Sequence, residues 1–83
     1  MIAFTPAKMG SLQLRNRIFK SATFEGMTGD QIVSDRLVAF HRQAASGGVG
    51  MTTVAFCAVS PEGASTPNEL VLTEAAVPGL RKL

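Results

Sequence analysis

Cysteine is scarce in this sequence, and two aromatic residue types are missing. Cys57 is the single cysteine among 83 residues, and there is no tryptophan or tyrosine. One cysteine excludes an intramolecular disulfide framework, and no CxxC pair or His/Cys cluster predicts a zinc site. Residues 1–6 lack the basic end and apolar stretch of a signal peptide. Together these absences favour a reducing, cytoplasmic compartment.

Strong charge and long apolar runs are also lacking. The formal net charge is +2, and the eight basic residues are scattered along the chain, whereas nucleic-acid-binding domains cluster them on one face. No apolar run approaches the ~18 residues that span a bilayer. We therefore expect neither a nucleic-acid nor a membrane partner. At 46% hydrophobic, the chain is too apolar for a disordered tail, yet it is short enough to make one small domain at most.

The first twenty residues predict a short hairpin that leads into a longer strand. Residues 8–11 carry a turn signal between two short apolar patches. Residues 18–24 mix aromatic, β-branched and small side chains, which predicts a strand. Gly26 and Gly29 then interrupt regular structure, so a loop is expected over residues 25–33.

A helix is predicted to begin at residues 34–35. Ser34 is a preferred N-cap, and Asp35 suits the positive end of the helix dipole. Four residues fall on one face at helical spacing, namely Leu37, Phe40, His41 and Ala44. Gly47 and Gly48 end the helix, because one glycine can take the left-handed position after it. The glycine-rich residues 47–50 precede a strand, so they favour helix capping over phosphate binding.

Residues 49–59 form a nearly continuous apolar and β-branched run. Such a run predicts a strand buried on both faces, as in a parallel sheet. Residues 60–67 are a loop by composition, and Pro78 suits the first turn of another helix. Strand, helix and buried strand in this order predict a βαβ unit. One such unit leaves strand edges unpaired, so we expect the first piece of a larger α/β fold, incomplete in this chain.

The sequence resembles the opening of the old yellow enzyme family of NADH:flavin oxidoreductases. The resemblance begins with the Phe-Thr-Pro of residues 4–6, the hairpin of residues 9–14 and the Arg-Asn-Arg-Ile of residues 15–18. It continues in the same order through four further segments, which are residues 42–45, 47–50, 58–63 and 77–83. The family fold is a (β/α)₈ TIM barrel, typically of ~250 residues. Residues 1–83 would then be the N-terminal part of a single FMN-binding barrel domain, from its closing hairpin to the start of its second helix.

The resemblance implies an FMN-dependent oxidoreductase. Such an enzyme passes hydride from NAD(P)H through the flavin to an activated alkene, such as an α,β-unsaturated carbonyl compound. Barrel enzymes place their chemistry at the carboxyl ends of the strands. By position, Ser21, Ala22, Thr23 and Phe24 would line the flavin ring, and Phe56 would reach it through its backbone. In the family, the residues that bind the substrate carbonyl and donate the proton lie beyond residue 83, so no catalytic residue is expected here.

Other interpretations of the same residues stay open. Phe24 and Phe56 are also expected as core aromatics, since aromatic side chains dominate core burial. Cys57 is expected as a buried small hydrophobic residue, because no basic partner lies near it in sequence. His41 is expected at the surface or boundary of its helix. Glu25 is expected to line the mouth of the site without acting as an acid or base.

A second class of function is non-catalytic. The chain would then be a truncated fragment or an assembly module that acts through its unpaired strand edges. Its partner would be a second copy in a homo-oligomer or a complementing C-terminal segment.

Replacing Phe24 by Thr in a complete chain that carries it should raise the flavin reduction potential. Family members often have Thr or Cys at this position, where the side chain hydrogen-bonds near the flavin O4. A new hydrogen bond there stabilises the reduced, more electron-rich ring. Redox titration of the bound flavin measures the effect, and an unchanged potential would show that Phe24 does not face the flavin.

Overall fold

A β-hairpin follows the first short 3-10 turn, Ile2–Phe4, in a computed structural model that describes residues 1–83. Strand β1 (Ala7–Met9) pairs antiparallel with β2 (Leu12–Leu14). Gly10, in the turn between them, has φ of 60°, a region that glycine occupies without steric cost. The predicted hairpin is confirmed.

A parallel βαβ unit follows the hairpin. Strand β3 (Phe19–Lys20) pairs with β4 (Met51–Thr52), and helix α1 (Asp35–Ser46) connects them. Phe19 lies opposite Met51, and Lys20 lies opposite Thr52. The α/β class and the parallel pairing expected from the sequence are therefore present.

Both parallel strands are shorter than the sequence predicts. The pairing ends where the Thr53 amide donates to the Lys20 carbonyl, at 3.2 Å, and residues 21–24 continue without a strand partner. Propensity identifies residues that suit an extended chain, but a ladder forms only where a neighbour supplies its backbone groups. The apolar run of residues 49–59 is not buried on both faces as predicted, since Phe56 is 57% exposed and Val59 is 82% exposed.

Helix α1 begins and ends where the sequence predicts. Ser34 Oγ accepts a hydrogen bond from the Leu37 amide, at 3.0 Å, which satisfies one of the free amides of the first turn. Gly47 caps the other end, and Gly48 beyond it has φ of 109°. Both signals act locally, which explains why the sequence alone locates them.

The buried face of α1 differs from the prediction at two residues, Val38 and His41. Leu37, Val38 and His41 are buried, while Phe40 and Ala44 are half-buried. The expectation that His41 lies at the surface or boundary is wrong, because its exposed fraction is 4%. A buried imidazole needs hydrogen-bond partners, and residues distant in sequence supply them.

The segment between the hairpin and β3 is tied to the turn between α1 and β4. Asn16 Nδ2 donates to the Gly48 carbonyl at 2.6 Å, and Asn16 Oδ1 accepts from the Ile18 amide at 3.0 Å. The Arg15 guanidinium donates to the Val49 carbonyl through Nε and Nη2, at 3.2 and 3.1 Å. These bonds hold the amino ends of β3 and β4 side by side.

After β4 the chain returns to pack on this unit. Ala58 and Val71 form an isolated parallel bridge, and the Val71 amide donates to the Gln31 carbonyl at 3.1 Å. Val71 is 1% exposed. The buried hydrophobic residues of the core are Leu14, Leu37, Val38, Ala55, Ala58, Leu70, Val71 and Ala76.

The C-terminal part agrees with its predicted elements. Residues 60–67 form a loop that contains a 3-10 turn, Pro61–Gly63. A second 3-10 turn, Glu74–Ala76, leads into helix α2 (Val77–Lys82), with Pro78 in its first turn. The α-helices have 12 and 6 residues, and neither has the length and apolar character needed to cross a membrane.

Gly50→Ala should lower the free energy of unfolding by about 1–3 kcal/mol, as overpacking does. A Cβ at Gly50 would collide with the carbonyl of Asn16 and lie 2.7 Å from Asn16 Oδ1. Chemical denaturation measures the change. Gly63→Ala is the control, since its Cβ would meet only Ser60 Oγ, at 3.9 Å, and it should change stability by less than about 0.5 kcal/mol. Equal effects at the two positions would contradict the steric argument.

Candidate functional site

Two aromatic side chains meet at the carboxyl ends of β3 and β4. The ring centroids of Phe24 and Phe56 are 5.1 Å apart, and their planes are inclined by 17°. Their exposed fractions are 43% and 57%. Neither ring is buried within this 83-residue chain. The pair, called the Phe24–Phe56 stack below, presents an apolar aromatic surface to the solvent.

The segment that leads to Phe24 has free backbone groups. Ser21, Ala22, Thr23 and Phe24 are all exposed. The amides and carbonyls of Ala22, Thr23 and Phe24 make no hydrogen bond within the chain. The Ser21 carbonyl accepts from Lys20 Nζ, at 3.1 Å. Extended backbone with unused donors and acceptors beside an aromatic surface can bind the edge of a planar ligand.

Glu25 joins the two strand ends. Its side chain is 6% exposed, and Oε2 accepts from His41 Nε2 at 2.9 Å. Its other oxygen, Oε1, accepts from the Ala55 amide at 3.3 Å. Glu25 directly follows Phe24, and Ala55 directly precedes Phe56. One carboxylate therefore bridges the backbone next to both rings of the stack.

His41 connects this carboxylate to β4. Its Nδ1 lies 2.7 Å from Thr52 Oγ1. An ionised carboxylate only accepts, so His41 Nε2 must carry a proton. The Thr52 hydroxyl can donate to a neutral imidazole or accept from a charged one, so both states of the ring keep their partners. No buried side-chain nitrogen or oxygen lacks a hydrogen bond.

Lys20 adds a positive charge next to Glu25. Its Nζ lies 4.0 Å from Glu25 Oε2 and 5.1 Å from the centroid of the Phe40 ring. Lys20, Glu25, His41 and Thr52 are called the polar cluster below. Its members come from β3, the following loop, α1 and β4, so the cluster links every element of the βαβ unit.

A pocket opens beside the stack, and Glu25 is among the residues that line it. Its other walls include Thr28, Leu37 and Asn68. Thr28 is buried, and its hydroxyl donates to the Asn68 carbonyl at 2.5 Å. This bond ties the loop after β3 to the segment that follows residue 67.

Cys57 directly follows Phe56 in the chain and is half-buried. Partial burial, and then the negative charges of Glu25 and Glu69, raise the pKa of its thiol. A protonated thiol is a poor nucleophile. This agrees with the interpretation of Cys57 as a small hydrophobic residue, although its burial is partial and not complete as expected.

Residues 3–83 match the NADH:flavin oxidoreductase / NADH oxidase family. This chain belongs to that family. This confirms the resemblance noted in the sequence. As its description says, the family consists of NADH:flavin oxidoreductases and NADH oxidases.

Two curated relatives are reductases. The chain is 56% identical over 80 residues to the 4,4'-dithiodibutanoate disulfide reductase of Rhodococcus erythropolis, covering 96% of this chain and 20% of the relative. It is 38% identical over 82 residues to a metal reductase of Desulforamulus reducens, covering 99% of this chain and 12% of the relative. The chain thus spans about a fifth or less of the length of these relatives.

A solved structure shares the fold of the chain. The 2-naphthoyl-CoA reductase in complex with 2-naphthoyl-CoA matches it with a TM-score of 0.91 at 26% sequence identity. The match covers 98% of this chain and 13% of that chain. The arrangement of hairpin and βαβ unit is therefore found in a reductase of known structure.

Sequence reasoning missed the contacts of Glu25 with His41. The two residues are 16 positions apart, on a loop and a helix, and no spacing rule relates such positions. One signal was present, because His41 shares a helix face with Leu37. A histidine on a buried face requires a partner, but the sequence does not say which residue provides it.

Glu69 holds the end of the loop over residues 60–67 through hydrogen bonds from Ser65. Its exposed fraction is 3%, and Oε1 accepts from the amide and the hydroxyl of Ser65, at 2.9 and 2.6 Å. The hydroxyl bond first, and then the amide bond, hold the pKa of the Glu69 carboxyl below its usual value of 4.5.

Glu69→Gln should cost stability above pH 4.5 and progressively less below it. A pKa lowered by folding means that the carboxylate contributes stability above its unfolded pKa and loses it as pH falls through the folded pKa. Denaturation at a series of pH values measures the difference between the two proteins. In a Ser65→Ala background, which lacks the hydroxyl donor, the difference should be smaller. A difference that is independent of pH would contradict the assignment.

Proposed function

We propose that residues 1–83 are the N-terminal part of an FMN-binding (β/α)₈ barrel domain. The family match and the TM-score of 0.91 to a reductase support this assignment. In such barrels the active site lies at the carboxyl ends of the strands. The cofactor face would therefore include Ser21, Ala22, Thr23, Phe24 and Phe56.

The residues at the strand ends fit a flavin ring. The unused amides and carbonyls of residues 22–24 suit the polar edge of the ring. Ser21 and Ala22 are small, so a planar group can approach the backbone closely. The Thr23 side chain is exposed, and its hydroxyl can donate a hydrogen bond. The backbone of Phe56 adds a contact from the second strand end, beside the Phe24–Phe56 stack. The match of residues 3–83 to the NADH:flavin oxidoreductase family is the observation that carries the proposal.

The chain's own residues bind and orient the cofactor. FMN would supply the redox chemistry by which hydride from NAD(P)H reduces the substrate. Residues 21–24 hold the ring by backbone and hydroxyl hydrogen bonds. The stack would give the ring an apolar surface to pack against beside the strand ends.

The substrate we propose is an activated alkene, such as an α,β-unsaturated carbonyl compound. An electron-poor carbon next to a conjugated carbonyl accepts hydride, and a proton then completes the reduction. The matching reductase structure holds 2-naphthoyl-CoA, in which a carbonyl is conjugated with an unsaturated ring. Because NAD(P)H is the reductant, we propose that the reaction takes place in the cytoplasm.

A disulfide is the second candidate substrate. The relative with 56% identity over 96% of this chain is a disulfide reductase, whereas the naphthoyl-CoA reductase is 26% identical. Reduction of a disulfide uses the same two electrons and two protons and yields two thiols. The two substrates are distinguished by assay.

The test uses the polypeptide in which residues 1–83 naturally occur. NADH and NADPH oxidation is followed without oxygen, with 2-cyclohexenone and with 4,4'-dithiodibutanoate as acceptors. We expect bound FMN and a higher kcat/KM with the enone. A preference for the disulfide selects the second candidate, and absence of bound or bindable FMN refutes the proposal.

Ala22→Leu should raise the Kd for FMN by about tenfold or more, equivalent to about 1.4 kcal/mol. The larger side chain would hold the ring away from the backbone of residues 22–24. Fluorescence titration of the apoprotein with FMN measures the affinity. Ala75→Leu, at an exposed alanine outside the strand ends, is the matched control and should leave the Kd unchanged. Equal effects would place the cofactor elsewhere.

The non-catalytic alternative predicts a different behaviour of the isolated 83-residue chain. An assembly module would associate through its strand edges, as a homo-oligomer or with a complementing C-terminal segment. Gel filtration after incubation with FMN separates the two views. Flavin absorbance that travels with the protein peak favours a cofactor role, whereas a colourless oligomer favours the assembly module.

A further inference from the structure

Glu25 links the two strand ends, in addition to Lys20, whose Nζ donates to the Ser21 and Thr53 carbonyls at 3.1 and 3.5 Å. Glu25 follows Phe24 in the chain, and its Oε1 accepts from the Ala55 amide at 3.3 Å. Ala55 is 7% exposed and directly precedes Phe56. The relative placement of the two rings therefore depends on a bond that crosses from one strand end to the other.

The second oxygen fixes the orientation of the carboxylate. Oε2 accepts from His41 Nε2 at 2.9 Å, and His41 Nδ1 lies 2.7 Å from Thr52 Oγ1. The imidazole is thus held between helix α1 and strand β4. Since both oxygens of Glu25 have partners and its side chain is 6% exposed, the carboxylate is not free to bind a ligand itself.

From this geometry we infer that Glu25 is a positioning residue. Its carboxylate, braced by His41 and Thr52, sets the separation of the two strand ends and thereby the geometry of the Phe24–Phe56 stack. The expected effect of Glu25 on FMN affinity rests on the proposed function, whereas its expected effect on the geometry of the stack does not.

The charged groups around Glu25 support this role. Lys20 Nζ, from β3, lies 4.0 Å from Oε2 and offsets the negative charge without displacing His41. A buried carboxylate is retained where its charge is paired and its oxygens are hydrogen-bonded. Both conditions hold here.

Two variants separate positioning from charge. Glu25→Ala removes both bonds and leaves the Ala55 amide and His41 Nε2 without partners. Glu25→Gln keeps an oxygen that can accept from Ala55. Its amide group can donate to His41 Nε2 if the imidazole proton moves to Nδ1, where Thr52 Oγ1 accepts it. We therefore expect Gln to rescue what Ala loses.

The stack is observed directly by ¹⁹F NMR, in the polypeptide that naturally contains residues 1–83 and is labelled with fluorophenylalanine. The signals of Phe24 and Phe56 are assigned by single Phe→Leu replacements. In Glu25→Ala both signals should move toward the position found in the unfolded protein, and in Glu25→Gln they should stay near the wild-type positions. Asn16→Ala is the control, since it removes bonds at the opposite ends of the strands and should leave both signals in place.

FMN titration provides the functional readout. Glu25→Ala should raise the Kd for FMN by about tenfold, equivalent to about 1.4 kcal/mol, and Glu25→Gln by much less. Asn16→Ala should lower stability and leave the Kd unchanged.

The results that overturn the inference are distinct from those that overturn the proposed function. Unmoved ¹⁹F signals in Glu25→Ala, or equal movement in Asn16→Ala, refute positioning by Glu25. If the ¹⁹F signals of Glu25→Gln move as far as those of Glu25→Ala, the charge of Glu25 matters and not its placement. That result also refutes the inference. If the wild-type protein binds no FMN, the proposed function fails while the ¹⁹F result still decides the role of Glu25.

Discussion

Two residue pairs, Phe19 with Met51 and Lys20 with Thr52, make up the whole parallel ladder between β3 and β4. So short a ladder has few backbone bonds to resist shear or separation. Side-chain hydrogen bonds at its two ends supply the missing restraint. Asn16 and Arg15 bind the backbone at the amino ends, and Glu25 binds the Ala55 amide at the carboxyl ends. The remainder of the structure depends on these restraints.

The two ends of the ladder serve different purposes. At the amino ends, the Asn16 amide fills the space where a side chain at position 50 would lie, so the packing there is closed. At the carboxyl ends, the chains emerge with exposed backbone and the Phe24–Phe56 stack. In the proposed barrel, these two ends would correspond to the faces that carry stability and chemistry in barrel enzymes. The polar cluster lies between them and connects the helix to both strand ends.

The relatives share this segment while they differ in the substrates that their names give. A disulfide, a metal and an aromatic CoA thioester are reduced or bound by proteins that match this chain over 96–99% of its length. The solved reductase shares with this chain the fold of a hairpin and a βαβ unit. Under the proposed function, we expect this segment to serve the cofactor, and residues outside it to select the acceptor.

Local signals determined much of this protein from the sequence alone. The hairpin turn at Gly10, the start of α1 at Ser34 and its end at Gly48 depend on the conformational preferences of single residues, which operate without distant partners. The collinear motifs identified the family for the same reason, since they can be read in order along the chain. By contrast, the predicted strands over residues 18–24 and 49–59 are longer than the ladder that forms. Strand length depends on a neighbouring chain and not on propensity.

Only the tertiary structure decided what surrounds each functional side chain. His41 was expected near the surface and is buried, because Glu25 and Thr52 come from other elements to satisfy both of its nitrogens. The sequence allowed Phe24 and Phe56 to be either core or site residues. In the folded chain their rings stack on each other and both stay partly exposed. A hydrogen bond or a ring contact needs two groups in place at once. The sequence specifies each group, but only folding brings residues 24, 25, 41, 52 and 56 together.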